Sequence, residues 1–102
     1  MAVAFVQEFA IGDRSTENYD WVAARIGEGP FDGLIAHSAG FDDDAGVFRI
    51  FDLWESQEQA ERFIGEHVAT QTPDDFPNPR TAAEQPSRQS FYELHNVVRG
   101  RA

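Results

Sequence analysis

The residues best suited to chemistry in this chain are its three histidines. His37 lies in the run GLIAHSAG (33–40) and His95 lies in YELHNVV (92–98), both among apolar neighbours. Imidazole exchanges protons near neutral pH, so either residue is a candidate general base. A buried, hydrogen-bonded imidazole without a catalytic role is the alternative for each. His67 falls on the apolar stripe of a predicted helix, where we expect it at the edge of the core.

The sequence predicts no metal site. The three histidines lie on three different predicted elements, without a local ligand spacing such as HxxxH. The acidic run at residues 42–44 lacks the glycine and the distal glutamate of a calcium loop, which makes it a predicted solvated turn.

The composition excludes several reaction classes. The 102 residues contain no cysteine and no lysine, which rules out a thiolate nucleophile, a disulfide, Schiff-base chemistry and a P-loop lysine. Eighteen acidic residues against eight basic ones give a net charge of −10, which argues against nucleic acid or an anionic membrane as a partner. No segment approaches the length of a membrane-spanning helix. We therefore expect a soluble, cytoplasmic protein with a single domain over residues 1–102.

The apolar periodicity predicts the element order β-α-β-β-α-β, which is the ferredoxin-like α+β pattern of a four-stranded antiparallel sheet with two helices on one face. Strands are predicted over 2–11, 33–40, 47–54 and 91–98. The first helix follows a cap at Ser15 or Thr16, and the second follows the capping box that begins at Ser56. Between the second helix and the last strand, residues 70–90 hold four of the five prolines and predict a long loop, which could be a lid, a pocket wall or disordered.

The predicted sheet is apolar on both faces. Two helices cover only one face, and a face that met water would carry polar residues at alternate positions. In the third strand, however, one face carries Val47, Arg49, Phe51 and Leu53, and the other carries Phe48, Ile50, Asp52 and Trp54. Leaving several such side chains in water would cost several kcal/mol, which is comparable to the stability of a small domain. We therefore expect a homodimer in which a second copy covers the second face.

The run FDLWESQEQAERFIGEHV (51–68) resembles the antibiotic biosynthesis monooxygenase-like (ABM) family of dimeric α+β barrels, in which an acidic-x-Trp-acidic-polar run ends the third strand. The segments 33–40 and 92–98 are also similar to that family's second and fourth strands. The resemblance covers roughly 1–68 and 90–99 and leaves out the proline-rich stretch.

The resemblance implies a cofactor-independent monooxygenase-like enzyme that acts on a small aromatic or polyketide-type molecule, with no bound cofactor. It also implies that Trp54 lines the barrel cavity, and strand parity then places Phe48, Ile50 and Asp52 on the same side. On this reading His37 or His95 is the base, while Trp54 and Asn96 donate hydrogen bonds to the substrate. The alternative for Trp54 is a plain core role.

Three other functions compete with this one. Haem degradation, also found in the family, is disfavoured because Gln7 replaces an Asn of the first strand and Ile64 falls where a helical His would be. A non-catalytic barrel that binds a small molecule, or a purely structural dimer, fits the same pattern. The sequence does not separate catalysis from binding.

Overall fold

The chain forms a four-stranded antiparallel sheet with two helices on one of its faces. The computed structural model describes residues 1–68, 73–79 and 85–100. The strand order is β2-β3-β1-β4, with every neighbouring pair antiparallel. The strands are β1 (Val3–Ala10), β2 (Leu34–Asp42), β3 (Val47–Trp54) and β4 (Arg88–Glu93), and the helices are α1 (Glu17–Ile26) and α2 (Gln57–Phe63). The predicted ferredoxin-like α+β order is confirmed.

The last strand differs from its predicted limits of 91–98, because it begins at Arg88 and ends at Glu93. Glu93 pairs with Val3, the first residue of β1, and Leu94 still donates its backbone N–H to the Ala2 carbonyl at 3.0 Å. Beyond that point β1 offers no further partner, so the strand ends although the sequence remains apolar. His95 and Asn96 therefore lie after the strand.

The second helix begins where its capping box predicts. The Ser56 side chain accepts a hydrogen bond from the backbone N–H of Gln59, which satisfies one of the donors left open at the helix start. After Phe63 the helix widens into one π-turn over Ile64–Val68. Such turns interrupt the regular ladder and occur frequently at functional sites.

The first helix, α1, is anchored less firmly than α2. It begins after Thr16 without a side-chain cap, and none of its residues is buried. Its apolar face includes Tyr19, Val22 and Ile26, which line a cavity above the sheet. The helix thus stands over an open space instead of packing closely on the strands.

A short segment, residues 73–79, lies against this helix. The carboxamide of Asn18 joins the helix to the backbone of Asn78, because Asn78 N–H donates to Asn18 Oδ1 at 2.8 Å and Asn18 Nδ2 donates to the Asn78 carbonyl at 3.0 Å. Phe76 meets the ring of Trp21 edge-on at 5.6 Å. The rest of the loop predicted over 70–90 lies partly outside the described residues, at 70–72 and 80–84.

The core lies between the sheet and α2. Its buried members are Val3, Phe5, Trp54 and Ala60, with Leu34, Phe63, Ile64 and Phe91 packed against them. On the opposite face Ala4 and Val6 are also buried, beside the larger side chains of Leu53 and Phe51 on β3. Within the described residues, no helix is long and apolar enough to cross a membrane.

Candidate active site

A cavity of about 470 Å³ lies between the sheet and the two helices. Cavities of a few hundred Å³ with mostly apolar walls are typical small-molecule sites. The space opens within one chain, on the helix-covered face of the sheet and not on the opposite face. The sheet supplies its floor from Phe5, Gln7, His37, Ile50, Asp52 and Trp54, and α1 supplies its roof from Tyr19, Val22, Ala23 and Ile26.

The chemical centre of the cavity is a pair formed by His37 and Asp52. The two residues lie directly opposite each other on β2 and β3, so their side chains point to the same face. His37 Nδ1 lies 2.5 Å from Asp52 Oδ1. A carboxylate only accepts hydrogen bonds, so Nδ1 carries the proton and donates it. In neutral His37 the lone pair is therefore on Nε2.

The second ring nitrogen, Nε2, is hydrogen-bonded to a tyrosine. The hydroxyl of Tyr19, on the first turn of α1, lies 2.5 Å from His37 Nε2. The planes of the two rings are almost parallel, at 2°, and Phe48 packs against Tyr19 in a T-shaped arrangement with ring centroids 5.6 Å apart. Asp52, His37 and Tyr19 thus form one continuous hydrogen-bonded chain that ends at the cavity roof.

Both titratable rings have shifted pKa values. The pKa of His37 is raised, first because its ring is hydrogen-bonded to Asp52, while partial burial opposes the shift and the Asp52 charge adds to it. The pKa of Tyr19 is also raised, chiefly by burial and further by the charges of Asp52 and Asp20. The phenol therefore keeps its proton at neutral pH and can donate it to neutral His37.

Trp54 forms part of the cavity wall beside α2. Its side chain is fully buried and packs on Phe63 with ring centroids 5.2 Å apart. Among the described residues its Nε1–H has no hydrogen-bond acceptor. A buried N–H without an acceptor costs free energy, so an acceptor atom placed beside it would be stabilising.

Other polar groups lie away from the histidine. Gln7 Nε2 donates to Gln89 Oε1 at 2.9 Å, and this amide pair lines the cavity from β1 and β4. Glu28 contributes a second carboxylate from the loop after α1. Among the described residues, no three histidine or carboxylate side chains converge to hold a metal ion.

The structure brings together four of the seven residues that the sequence singled out: His37, Ile50, Asp52 and Trp54 all line the cavity. Phe48 faces the same side of the sheet but packs against Tyr19 and Phe41 instead of lining the space.

His95 and Asn96 are not part of this group. Both are exposed after the end of β4, and neither lines the cavity. His67 packs against the rings of Phe31 and Phe63, at the edge of the core.

Sequence reasoning missed Tyr19 as a partner of the histidine. Its place at the first position of the apolar stripe of α1 indicated that it faces the sheet. A stripe does not show which strand residue it meets, because that depends on how far the helix stands from the sheet.

The fold is that of the antibiotic biosynthesis monooxygenase-like proteins. A solved structure of a variant of SnoaB, a cofactor-independent oxygenase from Streptomyces nogalater, is similar over 95% of this chain and 96% of that one, with a TM-score of 0.58 and 14% identity. A protein from Chloroflexus aurantiacus J-10-fl, assigned as an antibiotic biosynthesis monooxygenase, is similar over 98% of this chain and 100% of that one, with a TM-score of 0.57 and 11% identity. No protein-family model and no curated protein matches the chain.

Proposed function

We propose that this protein is a cofactor-independent monooxygenase-like enzyme that oxidises a small aromatic or polyketide-type molecule in the cavity. The observation that carries the proposal is the His37–Asp52 pair, a base with a defined tautomer, on the wall of a mostly apolar cavity of about 470 Å³. The likeness in fold to SnoaB, a cofactor-independent oxygenase, supports the same reaction class.

Because the proposed reaction uses no cofactor, the electrons that reduce O₂ must come from the substrate itself. An aromatic ketone with an acidic CH₂ group, such as an anthrone, loses one proton to the base and becomes a delocalised anion. The anion reduces O₂, a peroxide forms at that carbon, and loss of water leaves a carbonyl, so that CH₂ and O₂ become C=O and H₂O. The protein's part is to remove the proton, exclude water and stabilise the oxyanion. We assign the last role to Trp54, which lines the cavity and whose buried Nε1–H has no acceptor among the described residues; a small shift of the indole would bring this N–H to the substrate oxygen.

Oxygen uptake with anthrone as the probe tests this proposal. We expect turnover above the protein-free rate, with anthraquinone as the product. His37→Ala should lower kcat by about 10² to 10⁴-fold, the usual contribution of a general base. Asp52→Asn should also lower it, because an amide can donate to Nδ1 and favour the wrong tautomer.

The matched control is His95→Ala, which removes a histidine that lies outside the cavity and should leave turnover unchanged. Equal loss in His37→Ala and His95→Ala would contradict the assignment. Turnover that does not exceed the protein-free rate would contradict the oxygenase proposal itself.

A second candidate is a non-catalytic protein that binds a small molecule. It is favoured by the fact that both nitrogens of His37 already have hydrogen-bond partners within the chain. In that case anthrone would bind, as a rise in melting temperature reports, without any oxygen uptake.

The homodimer and the cytoplasmic location expected from the sequence also remain proposals. Support for the homodimer comes from the second sheet face, where Phe51, Leu53 and Tyr92 keep part of their surface accessible.

A further inference from the structure

The hydrogen bonds of His37 leave the imidazole without an open nitrogen. Nδ1 is directed at Asp52 and Nε2 at the hydroxyl of Tyr19, each at 2.5 Å. A substrate in the cavity therefore cannot reach the basic lone pair unless Tyr19 leaves. The Tyr19 side chain also lines the cavity, and its hydroxyl oxygen keeps an acceptor lone pair while its O–H is directed at His37 Nε2.

We propose that Tyr19 is the catalytic residue that receives the substrate's proton, and that His37 and Asp52 act behind it as a proton relay. This inference rests on the proposed function and changes which atom touches the substrate: the phenol oxygen of α1 and not the imidazole of β2.

The proton movements balance. As the substrate C–H bond breaks, its proton passes to Tyr19 Oη, and the electron pair stays on the substrate carbon. The proton of the Tyr19 hydroxyl passes at the same time to His37 Nε2. The chain then holds a neutral phenol, an imidazolium and the Asp52 carboxylate that stabilises it. The anion and O₂ form a peroxide anion at that carbon, and the imidazolium returns its proton through the same phenol to this anion. The resulting hydroperoxide loses water to leave the carbonyl, and the enzyme is regenerated.

The surroundings of Tyr19 fit this role. The ring planes of Tyr19 and His37 are parallel within 2°, and the phenol oxygen lies 2.5 Å from Nε2, which is within reach for proton transfer. The edge of Phe48 holds the tyrosine ring from the sheet side. The charged groups that face the pair are Asp52 on β3 and Asp20 on α1, and both disfavour a tyrosinate. The phenol thus acts as a neutral carrier and not as a permanent anion.

Tyr19→Phe with anthrone tests the relay, because it keeps the ring that packs on Phe48 and removes only the oxygen. We expect kcat to fall by about 10² to 10⁴-fold, as for His37→Ala, with KM changed by less than about threefold. Tyr92→Phe is the matched control, since Tyr92 is an exposed tyrosine of β4 on the opposite sheet face. It should keep the wild-type rate.

Rescue with added imidazole tests whether Tyr19 takes part in proton transfer or only in packing. Imidazole added to His37→Ala should restore turnover, since it can accept the phenol proton, and it should fail to do so in the double variant Tyr19→Phe/His37→Ala. A merely structural tyrosine would permit equal rescue in both.

The outcomes distinguish the two proposals. If Tyr19→Phe keeps or exceeds the wild-type kcat while His37→Ala loses it, His37 acts directly: the relay is overturned and the proposed function stands. If neither variant differs from the wild type, or the wild type shows no turnover of anthrone, both are overturned.

Discussion

At the scale of single residues, the hydrogen bond between His37 and Asp52 couples folding to pH. The pKa of His37 is raised in the folded chain by this bond, so the folded state binds a proton more tightly than the unfolded state. The resulting stabilisation is fully present below the unfolded pKa of about 6.5 and is lost as the pH rises through the folded pKa. His37 should therefore stabilise the protein more in mild acid than in mild base.

His37→Gln measures this effect. The difference in free energy of unfolding between wild type and variant should be larger at about pH 5.5 than at about pH 8.5. Urea titrations at the two pH values give that difference. Asn96→Ala, which changes an exposed side chain that does not titrate, serves as the control and should show no such change with pH. A constant difference for His37→Gln would mean that its pKa is the same in both states.

The residues of the floor could be predicted because strand parity has a period of two. Asp52 and Trp54 are two positions apart on β3, so they had to share a face, and both line the cavity. The contact between Tyr19 and His37 could not be predicted in this way. It depends on the distance between a helix and a sheet, and no local pattern encodes that distance.

At the scale of elements, α1 depends on the segment 73–79 for part of its anchorage. Asn18 both accepts from and donates to the backbone of Asn78, which is 6% exposed. The cavity leaves α1 without a buried residue. These hydrogen bonds therefore supply anchorage that close packing on the sheet would otherwise provide.

Asn18→Ala should lower the free energy of unfolding by about 1–3 kcal/mol, since it removes the side-chain partners of one buried N–H and one carbonyl. Denaturant titration gives the value. Asn96→Ala changes an exposed asparagine and should alter the stability by less than about 0.5 kcal/mol. Equal values for the two variants would show that the segment does not support the helix.

The limits of β4 show why element ends are hard to predict. Residues 91–98 have a continuous strand-like pattern, yet the strand ends at Glu93 because its neighbour β1 begins at Val3. A β-strand extends only as far as a neighbouring strand pairs with it, and the length of that neighbour is determined by another part of the chain. The beginning of α2, in contrast, is set by Ser56 and its own neighbours, and it was predicted correctly.

At the scale of the whole molecule, the second face of the sheet divides into two halves. One half carries Phe51, Leu53 and Tyr92, and the other carries Arg49, which bridges Glu8 at 2.7 Å and Asp42 at 2.8 Å. Since charged residues at a sheet surface discourage non-specific association, the apolar half is where we expect a second copy to dock.

Sedimentation at micromolar concentration should give twice the 11.4 kDa mass of one chain for the wild type. Leu53→Asp places a charge in the apolar half and should shift the protein towards single chains. Val98→Asp alters a side chain that is 85% exposed and should leave the mass unchanged. A wild type of 11.4 kDa at this concentration would contradict the homodimer.

The separation of core from cavity roof has an evolutionary consequence. The side chains that hold the molecule together come from the strands and α2, whereas those that shape the cavity from above belong to a helix without a buried residue. Substitutions at Val22, Ala23 or Ile26 can therefore reshape the accepted ligand at little cost to folding. A lineage with this architecture can acquire new substrates by altering these apolar side chains of one helix, while Tyr19, His37 and Asp52, the residues proposed for proton transfer, stay the same.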